Sequence, residues 1–149
     1  MIELAKTSVT ILAPVKTVFV YATNMEHYKQ WFPGVLEIHS ANNLKHGEVG
    51  KTYVEQLALP NGETALEIKV VQCEENRLFI TQGDLVGLLP QMEMTFTSQG
   101  ESSCTMDLSY SSRNPALSEN TDMLETLRAN LHERAETGIA KLKSILETS

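Results

Sequence analysis

Apolar residues in this chain keep two different periods, and the change between them sets what it can fold into. Leu66, Ile68 and Val70 alternate with Glu67 and Lys69, Met92, Met94 and Phe96 with Glu93, Thr95 and Thr97, and Met106, Leu108 and Tyr110 with Thr105, Asp107 and Ser109. A repeat of two covers one side of each segment and leaves the other in water, as in an antiparallel sheet. From Leu117 the repeat becomes three or four, through Leu124, Leu127, Leu131, Ala135, Gly138, Leu142 and Ile145. That is the apolar stripe of a single amphipathic helix. A helix over 117–146 spans about 45 Å, enough to cross a sheet. Asn114-Pro115 or Ser118 can start it, and Glu119 and Asp122 suit its N-terminal dipole, as Lys141 and Lys143 suit its other end.

The strands expected are 4–12, 35–42, 49–59, 64–74, 77–83, 91–98 and 103–111. Pro60-Asn61-Gly62 supplies a turn between the third and fourth, and Leu36 and Ile38 alternate with Glu37 and His39 in the second. Between the first two strands the chain reads Ala13-Pro14-Val15-Lys16-Thr17-Val18-Phe19 and closes on Trp31-Phe32-Pro33-Gly34-Val35. Pro14 suits a first helical position because its missing N–H would be unpaired there anyway. Val15, Val18, Phe19 and Ala22 then predict a helix over 15–22. Asn24 can cap a second short helix over 25–31, which Pro33-Gly34 ends.

The Ala-Pro-x-x-x-Val-Phe start, Trp31-x-Pro33-Gly34-Val35, and Gly47-x-Val49-Gly50 before a strand resemble the START-like (SRPBCC) superfamily, nearest its polyketide cyclase/dehydrase-type branch. The resemblance implies one START-like domain over 1–149 with the α+β helix-grip fold. In that fold a curved antiparallel sheet of about six or seven strands wraps a long C-terminal helix. It also implies a cavity between sheet and helix, with the loops at 59–62 and 83–90 near its mouth.

Composition narrows the partners. A formal net charge of -7, with no run of Lys or Arg, disfavours phosphate backbones and anionic membrane surfaces. No basic, apolar leader and no stretch long enough to span a bilayer is seen. Cys73 and Cys104 fall in apolar strand patterns and read as buried free thiols rather than a disulfide, so a cytoplasmic location is expected. His27, His39, His46 and His132 are scattered without metal-ligand spacing, so no metal and no cofactor is expected.

Catalytic signals are weak. Glu67, Glu93 and Asp107 lie on the wet phase of their strands, and neither cysteine sits in a basic setting. The strand over 49–59 reads Tyr53, Glu55, Leu57, Leu59 against Thr52, Val54, Gln56, Ala58, so either Glu55 or Gln56 can face inwards. A buried Glu55 would have a raised pKa and could act as acid or base, whereas Gln56 could only hydrogen-bond. Tyr110 should bury its ring while its hydroxyl seeks backbone, water or a ligand oxygen. Gly138 costs about 1 kcal/mol relative to Ala and can allow a close backbone approach to the sheet, or a bend that opens space beneath the helix.

Taken with the resemblance, this pattern favours a binding or carrier module for a small hydrophobic molecule such as a lipid, isoprenoid, quinone or polyketide. The expected ligand-binding set is Gln56, Leu66, Ile68, Met92, Met94, Phe96, Met106, Leu108, Tyr110, Leu124, Leu127 and Leu131, with no catalytic residue assigned. The alternative is a cyclase/dehydrase-like enzyme using Glu55, Asp84 or Tyr110 for acid–base chemistry. The oligomeric state is left open.

Overall fold

A computed structural model describes residues 1–59, 62–119 and 121–148, with only the backbone at 118, 119 and 121. Pro60 and Asn61 of the expected turn, and the side chains of Ser118 and Glu119, therefore lie outside the described residues. Seven antiparallel strands form one sheet in the order β1-β7-β6-β5-β4-β3-β2. They are β1 (Ile2–Ile11), β2 (Val35–Ser40), β3 (Thr52–Leu59), β4 (Gly62–Glu74), β5 (Leu78–Gly83), β6 (Pro90–Ser98) and β7 (Cys104–Ser112). Between β1 and β2 run α1 (Val15–Thr23), a 3-10 turn (Met25–His27) and α2 (Tyr28–Trp31). A second 3-10 turn (Pro115–Glu119) precedes α3 (Thr121–Glu147). This is the helix-grip fold.

Local chemistry explains most element ends. Pro14 sits one residue before α1 in extended conformation rather than inside its first turn, and its carbonyl accepts the Val18 N–H at 3.1 Å. Asn24 Oδ1 caps the 3-10 turn by accepting from Glu26 N at 3.0 Å. Gly34, at φ +91, turns the chain from α2 into β2 where a side chain would be strained.

One strand departs from simple alternation. The register shifts between Val35 and Glu37, so Val35 and Ile38 are buried while Leu36 is exposed. The bulge adds a residue to the repeat and turns Leu36 outwards, correcting the inward phase expected for it.

The helix α3 runs alongside β1 in the same direction. Arg128 Nε donates to Glu3 O at 3.0 Å, Thr7 Oγ1 to Glu136 Oε1 at 2.9 Å, Lys143 Nζ to Thr10 O at 2.8 Å, and Leu12 N to Glu147 Oε2 at 2.7 Å. Glu3 to Leu12 in a strand and Arg128 to Glu147 in a helix both cover about 30 Å, which keeps the two in step.

The C-terminal half of α3 buries Ala135, Ile139, Leu142 and Leu146 in a core shared with Met94, Met106 and Leu108. Phe19 of α1 meets Phe96 of β6 edge-on, with centroids 5.1 Å apart. Among the described residues no helix is long and apolar enough to cross a membrane, and Cys73 and Cys104 are free thiols.

Candidate functional site

Under the N-terminal half of α3 the packing stops. Leu127 and Leu131 point towards the sheet but remain half-buried, because a cavity of about 690 Å³ lies beneath them. Its apolar wall includes Leu57 and Leu59 of β3, Leu66 of β4, Pro90 of β6 and Phe32 just after α2. Leu85 and Leu88, from the segment between β5 and β6, complete that wall near the opening. Asp122, Thr126 and Asn130 on α3 give it a polar rim.

Four polar side chains converge on this cavity: Tyr28, Glu55, Tyr110 and Arg134. On β3 it is the odd residues that face inwards, so Tyr53 and Glu55 are buried and Val54 and Gln56 are exposed. Glu55 is 5 % exposed and has no hydrogen-bond partner among the described residues. Burial pushes its pKa up to about 7, and the opposing attraction of the Arg134 guanidinium does not offset this.

Tyr110 enters from β7, and its hydroxyl lies 2.5 Å from that of Tyr28 on α2. Burial raises both phenols well above their ordinary range, so both remain neutral. Phe32 stacks on Tyr28 at 4.9 Å and tilts against Tyr110 at 5.4 Å, which holds the pair in place.

Arg134 is fixed differently. Its Nε and Nη2 donate to Pro33 O at 3.0 and 2.8 Å, and its guanidinium lies 5.3 Å over the Phe32 ring. It packs against Gly34, where a side chain would collide with it. Nearby, a Cβ on Gly138 would lie 3.2 Å from Phe32 Cδ1 and 3.3 Å from Trp31 O. This glycine therefore allows α3 to approach the end of α2, rather than the sheet.

Of the expected ligand-binding residues, Leu66, Tyr110, Leu127 and Leu131 line the main cavity. Ile68 and Met92 line a smaller chamber beside it. Gln56 needs correction: β3 turns it to solvent, and Glu55 takes the inward position. Met94, Phe96, Met106, Leu108 and Leu124 are also corrected. They are buried in the apolar core and line neither chamber.

The expected mouth loops contribute Leu59, Leu85 and Leu88 to the wall. Asp84 instead accepts from Glu67 N at 2.6 Å on the exposed side. Neither Arg113 nor Arg128 reaches the cavity. Arg134 does, and helical phase could have found it, since Leu127, Leu131, Arg134 and Gly138 advance by four, three and four. Tyr28 was legible only as an aromatic three residues before Trp31.

A family model described as polyketide cyclase / dehydrase and lipid transport matches residues 4–147. No curated protein matches the sequence. Among solved structures, a START superfamily protein from Mycobacterium smegmatis superposes with a TM-score of 0.72 at 15% identity, over 98% of both chains. The di-domain ARO/CYC StfQ from the steffimycin biosynthetic pathway gives 0.73 at 14% identity, over 99% of this chain and 51% of that one. XoxI from Bacillus cereus gives 0.67 at 12% identity, over 98% and 96%. At such identities the superpositions establish shared fold alone.

Proposed function

The chain belongs to the polyketide cyclase / dehydrase and lipid transport family, and from that premise and its cavity we propose that it binds a small hydrophobic molecule with an oxygen function at one end. The observation that carries this reading is the uneven chemistry of the cavity. Its walls are mostly Leu, Pro and Phe, while Tyr28, Glu55, Tyr110 and Arg134 gather together. Such a site takes up apolar surface along its length and fixes orientation with a few polar groups. We read residues 1–149 as one START-like domain acting in the cytoplasm, a placement supported by its free thiols. Nucleic acid is disfavoured as a partner by the net charge of -7.

Native mass spectrometry before and after denaturing extraction tests the binding reading. A co-purifying apolar compound, or displacement of a fluorescent apolar probe by lipids, quinones or aromatic polyketides, supports it. Failure of every such compound to bind the folded protein overturns it.

One observation favours an enzyme as the second reading. A carboxyl group with a pKa of about 7, unpartnered and facing the cavity, is poised to give or take a proton at neutral pH. The polyketide cyclase / dehydrase description of the matching family supports polyketide-like substrates for such chemistry. Turnover of a poly-β-ketone that is lost in Glu55→Gln, with substrate still bound, would favour catalysis over carriage.

A further inference from the structure

The cavity does not end at its polar cluster. A second chamber of about 60 Å³ shares Tyr28, Glu55, Leu66, Pro90 and Tyr110 with the main one. Its remaining walls are Met25, Ile68, Thr81, Gly83 and Met92, all buried. The space fits about two water-sized groups.

Two features set this chamber apart from an ordinary packing gap. The first is Gly83, whose φ is unexceptional and whose backbone needs no glycine. A Cβ there would lie 2.9 Å from Leu66 Cδ1 and 3.0 Å from Pro90 Cγ. Leu66 and Pro90 line both chambers, so a side chain at 83 would press on the two residues that border the passage. The second is polarity. A buried water makes about three hydrogen bonds. The lining surface of the chamber is mostly apolar, from Met25, Leu66, Ile68, Pro90 and Met92, with Thr81, Glu55 and the mutually bonded Tyr28 and Tyr110 hydroxyls as its polar groups. Most of what a group in this space would touch is hydrocarbon, so one or two carbons would be well covered there.

We infer that this chamber is a subsite for a short alkyl branch of one or two carbons, carried beside the oxygen function with which the ligand meets Glu55. Thr81, Gly83 and Ile68 set its size limit. The inference rests on the binding reading above and narrows its ligand class to branched or alkyl-substituted oxygenated molecules.

Calorimetry with 1-naphthol and its 2-methyl, 2-ethyl and 2-tert-butyl derivatives tests it. Wild-type affinity should rise about fourfold per added carbon as far as ethyl, the fold-change equivalent of about 0.8 kcal/mol per buried CH₂. It should then fall at tert-butyl. Thr81→Leu, which fills the chamber, should bring the methyl-to-parent affinity ratio to about one, whatever happens to the parent affinity. Ile68→Val, a milder change in case Thr81→Leu folds poorly, should move the optimum to a longer branch. No rise in the wild type, or the same rise in Thr81→Leu, would place the branch in the main cavity and overturn the subsite. If neither 1-naphthol nor any derivative binds the wild type while other apolar probes do, the subsite falls and the binding reading stands; if no apolar probe binds, both fall.

Discussion

The hydroxyls of Tyr28 and Tyr110 lie 2.5 Å apart across the join between α2 and β7, although 82 residues separate them in the chain. A bond between two hydroxyls uses one proton and leaves the other free to reach the cavity. Tyr110→Phe should lower stability by about 0.5–1.5 kcal/mol, and Tyr28→Phe by a similar amount. The double variant should lose less than the sum, because the first change already breaks the shared bond. Denaturant titration of all four proteins checks this, and strict additivity would show that the hydroxyls are not coupled.

Glu55 makes stability depend on pH in an unusual direction for a carboxylate. The folded protein holds this proton up to about 7, while the unfolded chain releases it near the ordinary value of 4.5. Between those values the folded state binds more protons, so stability falls as pH rises through this window. The contribution is fully present below 4.5 and lost above 7. Glu55→Gln removes the titration. Relative to wild type, the variant should gain about 3 kcal/mol on going from pH 4 to pH 8. Urea unfolding of both proteins across that range reads the change, and a constant difference would refute it.

Leucines on α3 should fall into two classes. Leu142 is 0% exposed in the core, and Leu142→Ala should cost about 2–5 kcal/mol. Leu127 and Leu131 border space already empty. Their replacement by Ala should cost less than about 1.5 kcal/mol, since little new cavity forms. Binding of apolar probes should change for these two and not for Leu142→Ala. Equal stability losses at all three positions would contradict the open space beneath the first two.

Gly138→Ala should not deliver its usual reward. In a free helix the change is worth about 1 kcal/mol. Here the added carbon would meet Phe32 Cδ1 at 3.2 Å and Trp31 O at 3.3 Å. The ring can yield only by moving into the cavity it lines, and the carbonyl belongs to the backbone. Thermal unfolding should show no stabilisation, with altered probe binding through Phe32. A full 1 kcal/mol gain with unchanged binding would show that the approach is looser than its geometry.

Much of this architecture was legible because β4, β6, β7 and α3 keep their periods cleanly. Period describes a face, however, not what lies opposite it. Met94, Phe96, Met106 and Leu108 point to the covered side as their alternation requires, yet helices fill the space above them. Tyr110 has the same phase and opens onto the cavity. That difference depends on where α2 and α3 cross the sheet, which no strand encodes alone. In β3 both phases carry apolar residues, so alternation left Glu55 and Gln56 undecided until pairing with β2 and β4 settled the face. At Leu36 a bulge that no turn residue announced reversed the side.

The helix α3 behaves mechanically as a cantilever. Its root, from Arg134 to Leu146, is clamped by the core and by the Arg134–Pro33 contact. Along its other arm, among described side chains from Asp122 to Glu133, Leu124 alone is buried, and Arg128 ties the arm to Glu3 of β1. Raising that arm breaks the Arg128–Glu3 hydrogen bond but exposes little apolar surface beyond what the cavity already leaves bare, so it requires far less free energy than unfolding the domain. Amide hydrogens in the arm should therefore exchange well before those of the root. Faster exchange there would mark the arm as the route by which a guest enters, with the sheet and its hydrogen-bonded ladders left closed.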